Sequence, residues 1–412
     1  MLICRRTETL NTIDYILILC ICFSLIKEII NIPLIELNQI FLIGALILFL
    51  YINKKRGIIG VQITISQLSI LLLISYIVIQ GIILSVSYVD FFRMIKNYVL
   101  GLFFIMGIMS MGYRNYVKII KIAVKWMTII FTLEYFLYMF AKSGYNILFY
   151  EPYANIRHVA SFLSPNSYAI VLAFVITYYV NKFILKGKKT DILLGALLFL
   201  PLISTYSKSG MFITLSGVLL SMWFSNKKHY KLIVIIVIIN VAGLIVSGNI
   251  ENILKQFPNS YFARRFLLYF EEGTLGGERG EGYLELINIF KENWLIGVGF
   301  GNITGNNDIY QGFSSAHNEY LRFLVEGGII GGGIFLTIVI ALIRRIINVY
   351  SMNKINKENC IFAIWGILFL LSEMFYNYFN APREGILLIF MGFSVFTINN
   401  SIKEPVIPKR II

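Results

Sequence analysis

Apolar stretches long enough to cross a membrane recur along the whole chain, and they constrain its fold more than any other feature. A helix needs about 20 apolar residues to span roughly 30 Å of hydrocarbon. Inside lipid the backbone must satisfy its own hydrogen bonds, which favours helices. The candidate spans are residues 11–30, 37–52, 67–88, 96–112, 119–140, 167–184, 191–206, 208–225, 231–248, 322–343, 360–379 and 384–399. The sequence therefore predicts an all-α, polytopic integral membrane protein with about twelve transmembrane helices.

Composition supports the same class. Of the 412 residues, 58% are hydrophobic and 14% are charged, whereas soluble domains are about half apolar and a quarter charged. No connecting segment holds a pair of cysteines, so we expect neither a disulfide nor a metal cluster. Arg5 and Arg6 precede the first apolar run without a small-residue cleavage site after it, which predicts an uncleaved first span.

The distribution of positive charge predicts the orientation. Most of the 36 lysines and arginines fall in alternate connecting segments, such as 54–56, 186–189 and 227–231. Positive residues mark the cytoplasmic side, so both termini are predicted to be cytoplasmic. The net charge of +14 is then mostly orientation charge, and we do not expect nucleic-acid binding.

The predicted organisation is a single transmembrane domain over residues 1–412, with a large extracytoplasmic loop at 249–321 between the ninth and tenth spans. This loop contains more acidic than basic residues, so any anion there must be bound by particular arginines. Within it, YLELINIFKENW at 283–294 is predicted to form an amphipathic helix through Leu284, Ile287 and Phe290 or Trp294, which lies either on the bundle or in the membrane interface.

Three histidines are present, at positions 158, 229 and 317. His229 is expected in a solvated cytoplasmic loop, whereas His158 and His317 fall on the outer side, where a histidine can accept a proton near neutral pH. His317 is predicted to lie on a short helix, with Leu321 and Leu324 following at i+4 and i+7. Spacing alone leaves two roles open for His317, an interfacial residue or a general base.

Other polar residues also leave alternatives open. Arg157 could bind a phosphate bidentately or act as a headgroup anchor. Arg279 could bind a phosphate in the same way or form an exposed ion pair. Arg322 and Glu326 form an i,i+4 pair. Lys125, Glu134 and Glu373 lie inside spans, where they could line an ion path, line a polar cleft or pair with another helix. Three further local features are predicted. A tight hairpin is expected at SKSG, and a helix start is expected with Asn166 or Ser167 as its cap. The glycines of 327–333 should allow a neighbouring helix to pack closely.

Four segments together resemble a known family. They are IRHVASFLSPNSYA (156–169), STYSKSG (204–210), ERGEGYLELINIFKENWLIGVGFGN (278–302) and AHNEYLRFLVEGGIIGG (316–332). Their order and predicted side are similar to those of the O-antigen ligase and O-antigen polymerase superfamily. Lys208, Ser161 and Tyr283 depart from the arginine, glycine and tryptophan that are usual in these motifs.

The resemblance implies a GT-C-like membrane glycosyltransferase that needs no metal or other cofactor. Such an enzyme, in the bacterial cytoplasmic membrane, transfers a glycan from undecaprenyl diphosphate to an acceptor hydroxyl on the extracytoplasmic face. The implied partners are the lipid-linked oligosaccharide, the glycan acceptor, the lipid bilayer and a chain-length regulator. The implied catalytic residues are His317, Arg279 and Arg157, and the implied substrate-binding residues are Lys208, His158, Asn318, Glu326 and Arg322.

Within this class, a polymerase of surface-polysaccharide repeat units is our leading hypothesis, and a ligase that moves finished glycan to a lipid, protein or wall acceptor is the alternative. A polysaccharide flippase or other transporter is a hypothesis from a different class. It predicts matched halves and broken central helices, which the sequence does not indicate. A non-catalytic assembly scaffold is a third hypothesis, and it would tolerate His317→Ala.

Overall fold

The computed structural model describes a large part of the chain. The described residues are 64–84, 98–99, 101–102, 104–109, 113–142, 164–225, 227–246, 255–256, 278–303, 318–352, 359–375 and 382–401. The predicted spans at 11–30 and 37–52 lie outside them, as do Arg157, His158 and His317. Within the described residues the chain is almost entirely helical and contains no strand, which confirms the all-α prediction for this part.

The helices follow the predicted spans closely. They are α1 (Ile65–Leu84), α2 (Tyr113–Lys142), α3 (Pro165–Lys186), α4 (Lys189–Ser204), α5 (Lys208–Phe224), α6 (Lys228–Val246), α7 (Glu278–Glu292), α8 (Glu319–Met352), α9 (Cys360–Ser372), α10 (Pro382–Gly392) and a 3-10 helix, η1 (Phe393–Ser401). Described residues between 98 and 109 are also helical. Among the described residues, three helices, α1, α3 and α8, are long and apolar enough to cross a membrane.

The helix α3 lies at the centre of the bundle. In its most apolar stretch 78% of the residues are buried, against 33% in α1. Both α4 and α5 pack mainly against α3 and only weakly against each other, so the predicted hairpin is a tight turn between two diverging helices. Added side chains at Gly210 and Gly217 would overlap Ala169 and Thr177, which shows how closely α5 and α3 approach.

The outer helices expose large apolar side chains. In α6, for example, Leu232, Ile235, Ile238 and Ile239 are between 45% and 63% exposed. Apolar surface this continuous is unusual on soluble monomers and is the surface a bilayer would cover. The chain is therefore a helical membrane protein, in agreement with the sequence.

Two local predictions are corrected by the structure. The cap of α3 is Ser164, whose side chain accepts a hydrogen bond from the Ser167 backbone N–H, because Pro165 has no N–H and occupies the first helical position. Neither Asn166 nor Ser167 is the cap. His229 lies in the first turn of α6, not in a loop, although its ring is exposed as expected.

The predicted amphipathic helix forms, and the face that packs on protein contains Leu286. Leu286 is buried in a small cluster with Val325 and Ile303, whereas Leu284 and Trp294 are 66% and 53% exposed. The sequence contains apolar residues on two sides of α7. One side packs on α8, and the other side is left for the membrane interface.

Candidate active site

The beginnings of α3 and α5 are joined by polar side chains. Ser207 caps α5 by accepting a hydrogen bond from the Gly210 N–H at 3.2 Å, and its hydroxyl donates to Asn166 Oδ1 at 2.9 Å. The preceding residue, Tyr206, has a φ of 49°, which non-glycine residues seldom adopt. These contacts fix Lys208, the first residue of α5, at the same end of the bundle as the start of α3.

The beginning of α8 is fixed at this end too. Asn318 Oδ1 accepts a hydrogen bond from the Leu321 N–H at 3.1 Å, the geometry of an N-cap. The Glu319 N–H donates to the carbonyl oxygen of Glu373 at the end of α9, at 2.9 Å. The helix α8 therefore begins two residues after His317, and its first turn is hydrogen-bonded to α9.

A ring contact completes this arrangement. Phe212 in the first turns of α5 and Phe375 just after α9 have ring centroids 5.7 Å apart. The segments that carry Lys208 and Asn318 thus meet around the end of α9. The carboxyl groups of Glu319 and Glu373 are both buried here. Sequence analysis noted Glu373 as a charge inside a span but did not pair its segment with residue 319.

Arg322 and Glu326 form a fully buried ion pair. Arg322 Nε lies 3.0 Å from Glu326 Oε2, and neither side chain has exposed surface. Glu326 also accepts hydrogen bonds from the Gly301 N–H at 3.2 Å and the Tyr98 hydroxyl at 3.3 Å. The Arg322 guanidinium lies 5.2 Å from the centre of the Tyr98 ring. Both charges are therefore engaged with protein groups in this structure.

The glycine-rich run in α8 contains a break at Gly328, where φ is 63° and ψ is −167°. Four backbone hydrogen bonds join the segment 294–299 to the segment 325–330 at this break. They run from Val298 N to Val325 O (3.0 Å), Gly299 N to Glu326 O (3.0 Å), Ile329 N to Trp294 O (2.8 Å) and Ile330 N to Leu295 O (3.4 Å). The predicted helix at 322–343 is thus two helical pieces, and the loop that follows α7 is bonded between them.

Two polar side chains of α1 complete the joint. The Tyr76 hydroxyl donates to Gly327 O at 2.8 Å, and Gln80 Nε2 donates to Glu326 O at 2.7 Å and to Ile296 O. Sequence analysis did not identify Tyr76 and Gln80. Their i,i+4 spacing on one face of an otherwise apolar span was the signal that could have found them.

The helix α7 runs beside the first turns of α8. Tyr283 and Leu286 share a cluster with Leu321 and Val325, while the segment after α7 reaches residues 329 and 330. The two helices therefore run in the same direction. The N-terminal end of α7, whose second residue is Arg279, lies toward the beginning of α8.

The described part of the chain therefore brings together the segments that carry Lys208, Asn318, Arg322, Glu326 and the backbone of Arg279. Lys125 is exposed on α2 and Glu134 is buried there. Within the described residues no group of three histidine, cysteine or acidic side chains is placed to hold a metal ion.

Part of this arrangement lies in a segment that is similar to a known protein family. Residues 193–336, about a third of the chain, match the O-antigen ligase family. Members of this family are glycan-transferring enzymes that use lipid-linked glycan and acceptor substrates. No curated protein matches the chain. This match over residues 193–336 confirms the resemblance of the chain to the O-antigen ligase and polymerase superfamily.

Proposed function

We propose that the protein is a membrane glycosyltransferase that polymerises undecaprenyl-diphosphate-linked oligosaccharide repeat units of a surface polysaccharide such as O-antigen or capsule. The reaction takes place on the outer face of the bacterial cytoplasmic membrane and needs no metal ion. Both termini and the lysine-rich segments face the cytoplasm. A chain-length regulator is a proposed partner of this polymerase.

One observation supports this proposal above the others. The family match covers residues 193–336, and this segment contains the start of α5, the helix α7 and the start of α8. These elements carry Lys208, Arg279 and Asn318, and they are joined at one end of the bundle by the contacts described above.

The proposed reaction is a single displacement with inversion. The acceptor hydroxyl attacks the anomeric carbon and forms the new glycosidic C–O bond, while the C–O bond to the diphosphate breaks. The undecaprenyl diphosphate leaves with the bonding electron pair. His317 accepts the proton of the hydroxyl as general base.

The developing charge of the leaving group requires cations. We assign Arg279 and Arg157 to the diphosphate oxygens, because guanidinium groups bind phosphate bidentately and remain charged. Such groups lower the barrier when they are aimed at the charge that develops in the transition state. Lys208 adds a point charge without the planar fork, and His158 and Asn318 contribute to substrate binding.

For Arg322 and Glu326 the burial of the pair favours a positioning role. Their side chains have no exposed surface, and they anchor the first turns of α8 to the turn at Gly301 and to Tyr98. A rigid, capped helix start then follows His317 directly. Fixing a catalytic base in this way lowers the cost of reaching the reactive geometry.

The test compares surface glycan from cells that carry His317→Ala or Arg279→Ala. His229→Ala is the matched control for the first variant, because its ring is exposed on α6. Lys291→Ala, an exposed cation in the last turn of α7, is the control for the second. A polymerase variant loses multi-repeat chains but still attaches single units, whereas the controls retain full chains. Unchanged glycan in both variants would refute the catalytic assignment.

A ligase is the second candidate, because the matched family is described as O-antigen ligase. Such an enzyme would transfer finished glycan to a lipid, protein or wall acceptor with the same residues. The same variants distinguish the two candidates. A disabled ligase accumulates long lipid-linked chains that do not reach the acceptor, whereas a disabled polymerase accumulates single lipid-linked units.

A further inference from the structure

A cavity lies between α1 and the carboxyl-terminal half of α8. Its volume is about 560 Å³, within the range of small-molecule sites. Arg344, on its wall, is about 24 Å along the helix axis from Gly328 at a rise of roughly 1.5 Å per residue. The cavity is therefore at the end of the bundle opposite to the candidate active site, and the proposed reaction makes no use of it.

One face of α8 forms a wall of this cavity. Thr337, Ile340, Ala341, Arg344, Arg345 and Asn348 recur at the three- and four-residue spacing of a single helical face. After Thr337, the apolar members Ile340 and Ala341 precede the polar members. The wall thus changes along its length from hydrocarbon-like to cationic.

The cationic end holds two arginines and no carboxylate among the residues that line it. Arg345 Nε is buried and has no hydrogen-bond partner among the described residues. Its guanidinium carbon lies 5.7 Å from the centre of the Phe396 ring. The Arg345 side chain therefore packs against η1 and does not extend fully into water. A buried donor without a partner is costly, and an anion in the cavity would supply that partner.

The beginning of α1 adds further polar groups to this end. Thr64 and Gln67 cap the helix reciprocally: the Gln67 N–H donates to Thr64 Oγ1 at 3.3 Å and the Thr64 N–H donates to Gln67 Oε1 at 3.0 Å. Both residues line the cavity, together with Ser66. The positive end of the α1 dipole therefore also favours negative charge in this place.

The apolar end is suited to a hydrocarbon chain. Ile340, Ala341 and Met109 are apolar residues that line the cavity. A soluble phosphorylated compound would leave this apolar surface uncovered, whereas a lipid would cover it with an acyl chain.

We propose that this cavity binds an anionic phospholipid, with the phosphate between Arg344 and Arg345 and an acyl chain against Ile340 and Met109. On the predicted orientation this end faces the cytoplasm, where the surface of the membrane is negatively charged. This lipid site is separate from the site at which the proposed reaction would bind its lipid-linked sugar substrate.

The test uses the full-length protein purified in a neutral detergent. Native mass spectrometry measures the ratio of bound phosphatidylglycerol to bound phosphatidylcholine, supplied as an equimolar mixture with identical acyl chains. We expect the wild-type protein to prefer phosphatidylglycerol. The double variant Arg344→Gln/Arg345→Gln should lower this ratio roughly tenfold, since hydrogen bonds to charged groups contribute about one such factor.

The matched control is Lys188→Gln/Lys189→Gln. It removes the same number of positive charges at exposed positions on the predicted cytoplasmic side, outside the residues that line the cavity. This control should keep the wild-type ratio. An equal loss in both double variants would mean that general charge attracts the lipid, and an unchanged ratio in the arginine variant would mean that the cavity does not bind it; either result overturns the proposal.

Two single variants keep the test valid if the double variant does not fold. Arg344→Gln changes an exposed side chain and should lower the ratio severalfold. Arg345→Lys retains charge but loses the planar fork, so it should give an intermediate ratio. A separate titration with inorganic phosphate identifies a soluble ligand. Arginine-dependent binding of phosphate without any preference for phosphatidylglycerol would overturn the lipid assignment.

Discussion

Replacement of Gly328 by alanine should destabilise the protein strongly. With φ at 63° and ψ at −167°, this residue has a backbone conformation that is essentially restricted to glycine, and strain of this kind costs about 1–3 kcal/mol. A Cβ at Gly328 would also overlap the carbonyl oxygen of Leu295. Relieving that overlap disturbs at least the neighbouring bonds from Ile329 N and Ile330 N, each of which contributes about 0.5–1.5 kcal/mol.

The sum of these effects is a loss of about 2–6 kcal/mol in the free energy of unfolding. Gly333→Ala is the matched control, because nothing lies within 4 Å of a Cβ added there and the residue is helical and exposed. Alanine at such a position is neutral or stabilises the helix by up to about 1 kcal/mol.

The assay is equilibrium unfolding of the detergent-purified protein in increasing dodecyl sulfate. Tryptophan fluorescence is a suitable signal, since the carbonyl of Trp294 accepts one of the bonds at the break. If Gly328→Ala unfolds within about 1 kcal/mol of Gly333→Ala, the break in α8 is not a strained, hydrogen-bonded joint and the reasoning fails.

Three further predictions concern the same end of the bundle. Arg322→Ala should cost about 3–5 kcal/mol in the same unfolding assay, because it leaves the Glu326 carboxylate buried without its cation; the double variant Arg322→Ala/Glu326→Gln should recover part of this loss. Asn318→Ala should cost about 1 kcal/mol through loss of the helix cap, whereas Asn318→Asp should retain stability, and equal unfolding of the two would contradict the capping role. Gly210→Leu should prevent close packing of α5 on Ala169, with a loss of several kcal/mol from overpacking and reduced yield of monodisperse protein.

Much of the architecture could be predicted from the sequence because the bilayer imposes a length on each apolar segment. The described helices coincide with the predicted spans to within a few residues at most ends, as at α3, where 167–184 was predicted and Pro165–Lys186 is observed. The helix α9 is shorter than the predicted span 360–379, since it ends at Ser372, whereas the predicted span 384–399 is covered by α10 together with the 3-10 helix that begins at Phe393.

The break in α8 could not be predicted because its cause is distant in the chain. The glycines of 327–333 are equally compatible with close helix packing, and Gly331 does lie beside Tyr76 in that way. What distinguishes Gly328 is a set of backbone partners about thirty residues earlier, in the segment 294–299. Local sequence carries no information about such a pairing.

The face of α7 that packs on protein could not be predicted for a related reason. Apolar residues occur on two sides of this helix, and spacing does not tell which side meets protein and which meets the membrane interface. The choice of Leu286 over Leu284 is made by the surface of α8 around Val325. Similarly, motif resemblance selects Lys208, Asn318 and Arg279, but only helix packing shows that the starts of α5, α7 and α8 lie toward one end of the bundle.

The joint between the segment 294–299 and the broken helix has an evolutionary consequence. The four bonds between the two segments are made by main-chain atoms, so they depend on chain register and on Gly297 and Gly328, where an added Cβ would overlap the opposite backbone. Most side chains of the segment 294–299 are not part of these bonds. A lineage could therefore change those side chains while retaining the same attachment point on the bundle.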